Sequence, residues 1–112
     1  MRITIIVKTC FNAKHFWREA PEEVSFLRIA HDHTFFVEAE ISGSGLNRQL
    51  EFFMVKRVID KFLDSFRGGT FEYSCEYFAE AILEHLKLKY GERSYTVTVS
   101  EDGVNAGRVY YE

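Results

Sequence analysis

Proline is almost missing from this sequence: Pro21 is the sole one, and it sits in the polar stretch Arg18-Glu19-Ala20-Pro21-Glu22-Glu23. That stretch reads as a loop, and no proline-rich linker divides the chain. Cysteine is nearly as scarce, with only Cys10 and Cys75 present. Two cysteines far apart build no disulfide framework, and no CxxC pair offers a redox or zinc knuckle. Two buried thiols are the simpler expectation. Long apolar runs are lacking too; none approaches the roughly 20 residues that span a bilayer. The opening MRITIIVKTC has a short apolar stretch followed by Lys8 and no small-residue cleavage site, so it lacks the layout of a signal peptide. A cytoplasmic protein without a membrane partner is expected. Basic excess is absent as well: 14 Lys and Arg face 17 Asp and Glu, a net charge of −3. That balance argues against nucleic acid as a partner, while leaving room for a local basic pocket.

What is present is enough apolar material for one core. Hydrophobic residues make up 46% and aromatics 16% of 112 residues, which places the chain with globular domains and suits a single domain over 1–112. No internal repeat interrupts it. Residues 2–11 are rich in β-branched side chains and predict a strand. Residues 33–42 predict a second, with Phe35, Val37, Ala39 and Ile41 on one face and Glu38 and Glu40 on the other. Val55, Val58, Ile59, Phe62 and Phe66 recur at helical spacing over 52–66, and Gly68-Gly69 follows. A second helix over 75–89 buries Phe78, Ala79, Ile82, Leu83 and Leu86, with Ser74 as N-cap, Glu76 in the first turn and Gly91 as the stop. Tyr95, Val97 and Val99 then alternate with Thr96, Thr98 and Ser100, and a last strand returns at Arg108–Tyr111 after turn residues. The order ββααββ predicts an α+β fold: a four-stranded antiparallel sheet with two helices on one face. The uncovered face and edges predict a homo-oligomer.

Three of the four histidines fall where the first two strands begin or end. His31 and His33 are two apart, so an extended backbone projects both imidazoles to one side. An antiparallel return across 16–30 would bring His15 beside His31. Three imidazoles with an open fourth position describe a catalytic-type zinc site. The alternative is three loop histidines making ordinary hydrogen bonds, since H-x-H is weak by itself. Cys10 lies too far down its strand to complete a tetrahedron. His85, in the second helix, reads as a solvated residue.

Phe11-Asn12-Ala13-Lys14-His15, His31-Asp32-His33-Thr34-Phe35, Leu50-Glu51-Phe52 and Ser74-Cys75-Glu76-Tyr77-Phe78-Ala79 come in order along the chain. Val99-Ser100-Glu101-Asp102, with Asn105-Ala106-Gly107 and Tyr110, closes the series. This set resembles the 6-pyruvoyl-tetrahydropterin synthase family, which includes 6-carboxy-tetrahydropterin synthase of queuosine biosynthesis. The resembling motifs are F-S-A-A-H, H-G-H-N-Y, V-x-D-F, P-T-x-E-N-L-A and V-x-E-T through A-x-x-Y. The resemblance implies the tunnelling fold, trimers that pair into hexamers, zinc on His15, His31 and His33, and a dihydropterin substrate. It also implies that Glu101 grips the polar edge of the pterin, as a carboxylate does by accepting from a ring N–H and its neighbouring amino group. Taken by itself, Glu101 equally opens a turn with Asp102.

The departures concern proton transfer. Family enzymes place a base, usually cysteine, four to six residues before H-x-H, where this chain has Leu27 and Ser25. Their Asp-His pair between the helices has no counterpart in Phe62–Thr70. Asp32, Glu22 and Glu23 are the acidic residues that sequence offers as a replacement base. The resemblance therefore implies a zinc-dependent lyase acting on 7,8-dihydroneopterin triphosphate or a related dihydropterin. Three alternatives stay open: a homologue that binds zinc and pterin without turnover, an aldolase-type cleavage of dihydroneopterin, and a structural or partner subunit whose pocket has no ligand.

Overall fold

The computed structural model describes residues 1–112. Strand β1 (Ile3–His15) is followed by a 3₁₀ segment at Glu22–Arg28 and by β2 (His31–Gly43). Helix α1 (Phe52–Leu63), strand β3 (Thr70–Phe71) and helix α2 (Cys75–Tyr90) come next, then β4 (Tyr95–Glu101) and β5 (Asn105–Tyr111). The α+β class matches expectation, but the strand count does not. The sheet has five strands in the order β3-β1-β2-β4-β5, and β3 runs parallel to β1. Two residues carry no periodicity to read. What makes β3 a strand is its seat beside the end of β1, where Lys14 donates its N–H to Gly69 O and Phe16 donates to Phe71 O.

Several boundaries also move. β1 runs on past residue 11 because its weak β-formers Asn12, Lys14 and His15 stay paired with β2, up to His15 opposite His31. β5 starts at Asn105, paired with Glu101, so the turn shrinks to Asp102-Gly103-Val104. α1 stops at Leu63, and Gly68 takes a left-handed φ of 74° before the chain turns into β3. Glu51 begins that helix by accepting from the N–H groups of Phe53 and Met54. Ser74 caps α2 by accepting from Tyr77 N, and Gly91 ends it at φ 79°.

The pleat sorts the residues by parity. Odd positions of β1, β2 and β4 face the helices, so Phe11, Phe35, Val37, Ile41, Tyr95 and Val97 pack against Val55, Ile59, Phe78, Ile82 and Leu86. Phe11, Phe35 and Phe78 form the centre of an aromatic cluster, with ring centroids 5.0 to 5.2 Å apart. Leu63, which helical spacing left out of the stripe, is fully buried. Even positions face away from the helices. Cys10 is one of them and is exposed, which corrects the expectation of two buried thiols; Cys75 is buried. His85 is not a solvated residue either: it is half-buried, its ring stacked on Phe62 at 4.3 Å. No helix is long and apolar enough to cross a membrane.

The N-terminus of α2 sits directly on β5. A Cβ added at Gly107 would come within 2.7 Å of the Glu76 backbone nitrogen, so only glycine permits this approach. That contact brings Ser74, Cys75 and Glu76 to the end of the sheet where the histidines lie.

Phe78 packs α2 against Phe11 and Phe35 of the sheet and against Phe66 beyond the end of α1. Replacing it with alanine is expected to lower the free energy of unfolding by about 3–5 kcal/mol, read from the urea midpoint. A loss below about 1 kcal/mol would contradict its place at the centre of the core.

Candidate functional site

His15, His31 and His33 occupy odd positions at one end of β1 and β2, on the same face as the core. The register sets His15 opposite His31 and Ala13 opposite His33. The three rings meet edge to face, with centroids 4.5, 5.0 and 5.2 Å apart. One ring nitrogen from each lies within 4.8 Å of the other two. Phe35 forms the floor, its ring 5.0 Å from His15 and 5.7 Å from His33.

Each imidazole is tied from behind through Nδ1. His15 Nδ1 is 2.8 Å from Tyr73 O, His31 Nδ1 is 2.8 Å from Ile29 O, and His33 Nδ1 is 2.7 Å from Asp102 Oδ2. A carbonyl oxygen only accepts, so the proton of His15 and His31 resides on Nδ1 and the Nε2 lone pair is free. Both of those Nε2 atoms are buried and have no hydrogen-bond partner. Two orphaned buried nitrogens aimed at one point are costly unless something accepts their lone pairs. A soft-to-borderline divalent cation fits that donor set. Burial holds His15 below the ordinary imidazole range, outweighing the opposing pull of the Tyr73 carbonyl and Glu101; the neutral, ligating form is favoured.

Glu101, at the end of β4 and opposite Phe35, reaches the same point. Its Oε1 lies 3.0 Å from His15 Nε2 and its Oε2 lies 3.6 Å from His33 Nε2. With its proton on Nδ1, His15 Nε2 has nothing to donate, so the close approach of Glu101 is not a hydrogen bond and sets two lone pairs against each other. Beside the imidazoles lies a cavity of about 530 Å³, of ordinary small-ligand size. Aromatic residues Phe16, Trp17, Tyr73 and Tyr77 line it, together with Glu72, Glu76, Glu101 and Cys75. Burial, with Glu101 and Glu76 nearby, pushes the Cys75 thiol up to about 12.

The acidic residues that sequence offered as a base are elsewhere. Asp32 takes an even position, its side chain largely exposed and 3.9 Å from Lys14. Glu22 pairs with Arg28, and neither it nor Glu23 lines the cavity. Leu27 does line it. Sequence reasoning missed Glu72 and the partners behind the imidazoles. Two of those partners, Tyr73 O and Ile29 O, are backbone carbonyls and have no signature in a sequence. Asp102 was visible only as a turn residue.

Fold and site define a class: a small α+β protein presenting three imidazoles and a carboxylate at one end of its sheet, beside an aromatic cavity. No family model matches the chain, and no curated protein matches it in sequence. Solved structures do match. The 6-pyruvoyl tetrahydropterin synthase of Plasmodium falciparum is 15% identical with a TM-score of 0.76, over 98% of this chain and 98% of that one. The Caenorhabditis elegans 6-pyruvoyl tetrahydropterin synthase is 15% identical with a TM-score of 0.76, over 100% of this chain and 97% of that one. The Plasmodium vivax protein is 16% identical with a TM-score of 0.75, over 99% and 98%. Variants of the P. vivax protein in which a catalytic glutamate is replaced by cysteine or alanine match as well. The chain therefore has the fold of the 6-pyruvoyl tetrahydropterin synthases.

The two thiols should differ sharply in reactivity. Near pH 8, iodoacetamide is expected to label Cys10 readily, while Cys75 holds roughly 10³-fold less thiolate than an ordinary cysteine and reacts slowly. Mass spectrometry of the labelled chain checks this, and equal rates at the two positions would contradict the environment described for Cys75.

Proposed function

We propose that this chain is a zinc-dependent, pterin-processing protein of the 6-pyruvoyl-tetrahydropterin synthase kind. The observation that carries the reading is the pair of orphaned, buried Nε2 atoms of His15 and His31, facing His33 across less than 5 Å. His15, His31 and His33 would hold the metal, and the fourth position would be left for substrate. Zinc bound there supplies Lewis acidity toward the side-chain oxygens of a dihydropterin such as 7,8-dihydroneopterin triphosphate.

The chain's own residues supply the rest. Glu101, which lines the cavity, accepts from the ring N–H and amino group of the pterin edge. The aromatic lining of Phe16, Trp17, Tyr73 and Tyr77 suits a flat heterocycle and reduces its contact with water. Proton transfer is the point of departure from the resembling family. Leu27 carries no proton, and Cys75 is held protonated. The P. vivax neighbour has a catalytic glutamate, and here Glu72 and Glu76 are the carboxylates that line the cavity besides Glu101. One of these two serves as the base. The uncovered sheet face and free strand edges support assembly with further copies, as trimers or hexamers.

Leu27 favours a second reading, in which zinc and pterin bind without turnover. Three measurements separate the readings. Elemental analysis is expected to give about one zinc per chain, lost in His31→Ala. Incubation with 7,8-dihydroneopterin triphosphate, and separately with 7,8-dihydroneopterin, is expected to yield product from at least one. Glu72→Gln or Glu76→Gln is expected to cut that turnover by roughly 10²–10⁴. Zinc and pterin binding with no product would establish the second reading. A chain that takes up no zinc would overturn both.

A further inference from the structure

The geometry points to Asp102 as the positioning residue that sets the tautomer of His33 and so readies the third nitrogen of the triad. This inference rests on the reading of the three histidines as a metal centre. His15 and His31 need no such residue, since each is held by a backbone carbonyl that only accepts. His33 alone is held by a side chain, and that side chain carries the one charge behind the triad.

Asp102 is clamped to do this. Its Oδ1 accepts from Thr34 N at 3.0 Å, and its own N–H donates to Thr34 O at 2.8 Å. Its Oδ2 is left to accept from His33 Nδ1 at 2.7 Å. With Oδ1 taken up by the Thr34 N–H, Oδ2 faces His33 Nδ1 as a carboxylate oxygen, which accepts and does not donate. The proton of His33 is thereby kept on Nδ1, and the Nε2 lone pair faces the other two.

The turn by itself does not call for a carboxylate. Asp102 and Gly103 have φ of 53° and 76°, a pair of left-handed residues that Asn-Gly satisfies as well as Asp-Gly. Asparagine would fail at the imidazole, however. It has one carbonyl oxygen, while Thr34 N–H and His33 Nδ1–H are two donors. The backbone donor cannot change, but the imidazole can move its proton. The amide NH₂ would then face Nδ1, and His33 would carry its proton on Nε2 with no lone pair for a metal.

The test uses the full chain with Asp102→Asn and Asp102→Gly, both compatible with a left-handed turn residue. In metal-free protein, above the pH of imidazole titration, ¹⁵N chemical shifts are expected to place the His33 proton on Nδ1 in the parent chain and on Nε2 in D102N. Zinc affinity, measured by competition with a chromophoric chelator, is expected to fall roughly 10–100-fold in D102N and less in D102G, where no amide imposes the wrong tautomer. A purely structural role would reverse that order, because asparagine keeps the bond to Thr34 and glycine loses it. An unchanged tautomer in D102N, or weaker zinc binding by D102G than by D102N, would overturn the assignment. If the parent chain binds no zinc, the metal reading fails while the tautomer measurement still decides what Asp102 does.

Discussion

The antiparallel pairing of β1 with β2 is the constraint on which the site depends. Its register runs from Ile3 opposite Gly43 to His15 opposite His31. Side chains alternate along a strand, so a slip of one residue would turn one strand's histidines to the opposite face. The same slip would expose Phe11 or Phe35. The apolar face therefore holds the register that the polar site needs: the histidines ride on a pattern set by the core. This explains how three imidazoles are aligned without a disulfide.

That coupling has an energetic side. Phe35 packs with Phe11 and Phe78 below and with His15 and His33 above. The floor of the site is thus the roof of the core, and it removes water from one side of His15, which is 7% exposed. Desolvation disfavours the imidazolium, and Nδ1 bonds to fixed acceptors orient the neutral ring. A buried polar cluster of this kind destabilises the fold unless its lone pairs are used. As they stand, the Nε2 lone pairs of His15 and His31 have no partner, and this is an arrangement that a cation would complete.

The fold shared with the 6-pyruvoyl tetrahydropterin synthases accompanies only 15–16% identity, and the departures from the resembling motifs that bear on chemistry concern proton transfer. Leu27 lines the cavity where a thiolate would be useful, and the connection from α1 to β3 carries no histidine. The cavity has carboxylates, with Glu72 on the link between β3 and α2 and Glu76 in the first turn of α2. Glu72 is itself engaged, accepting from Arg18 N at 2.9 Å, which ties the loop after β1 to that link. A fold transmits where a group stands more faithfully than which group it is.

Much of this was legible from the sequence. Period-two and period-3.6 patterns identified both helices and the four longer strands, and the i, i+2 spacing placed His31 and His33 on one side of a strand. These are local properties, set by backbone geometry over a few residues. The resemblance of ordered motifs added the fold. What the sequence did not disclose is what depends on distant residues meeting. β3 exists only because Gly69 and Phe71 reach the end of β1; Cys10 and Cys75 share a residue type and end on opposite sides of the burial divide. The carbonyls of Tyr73 and Ile29, the convergence of Glu101 with His15, and the grip of Asp102 on His33 across 69 residues all belong to tertiary structure. Spacing along a chain determines which way a side chain points, but only the folded chain decides what it meets there.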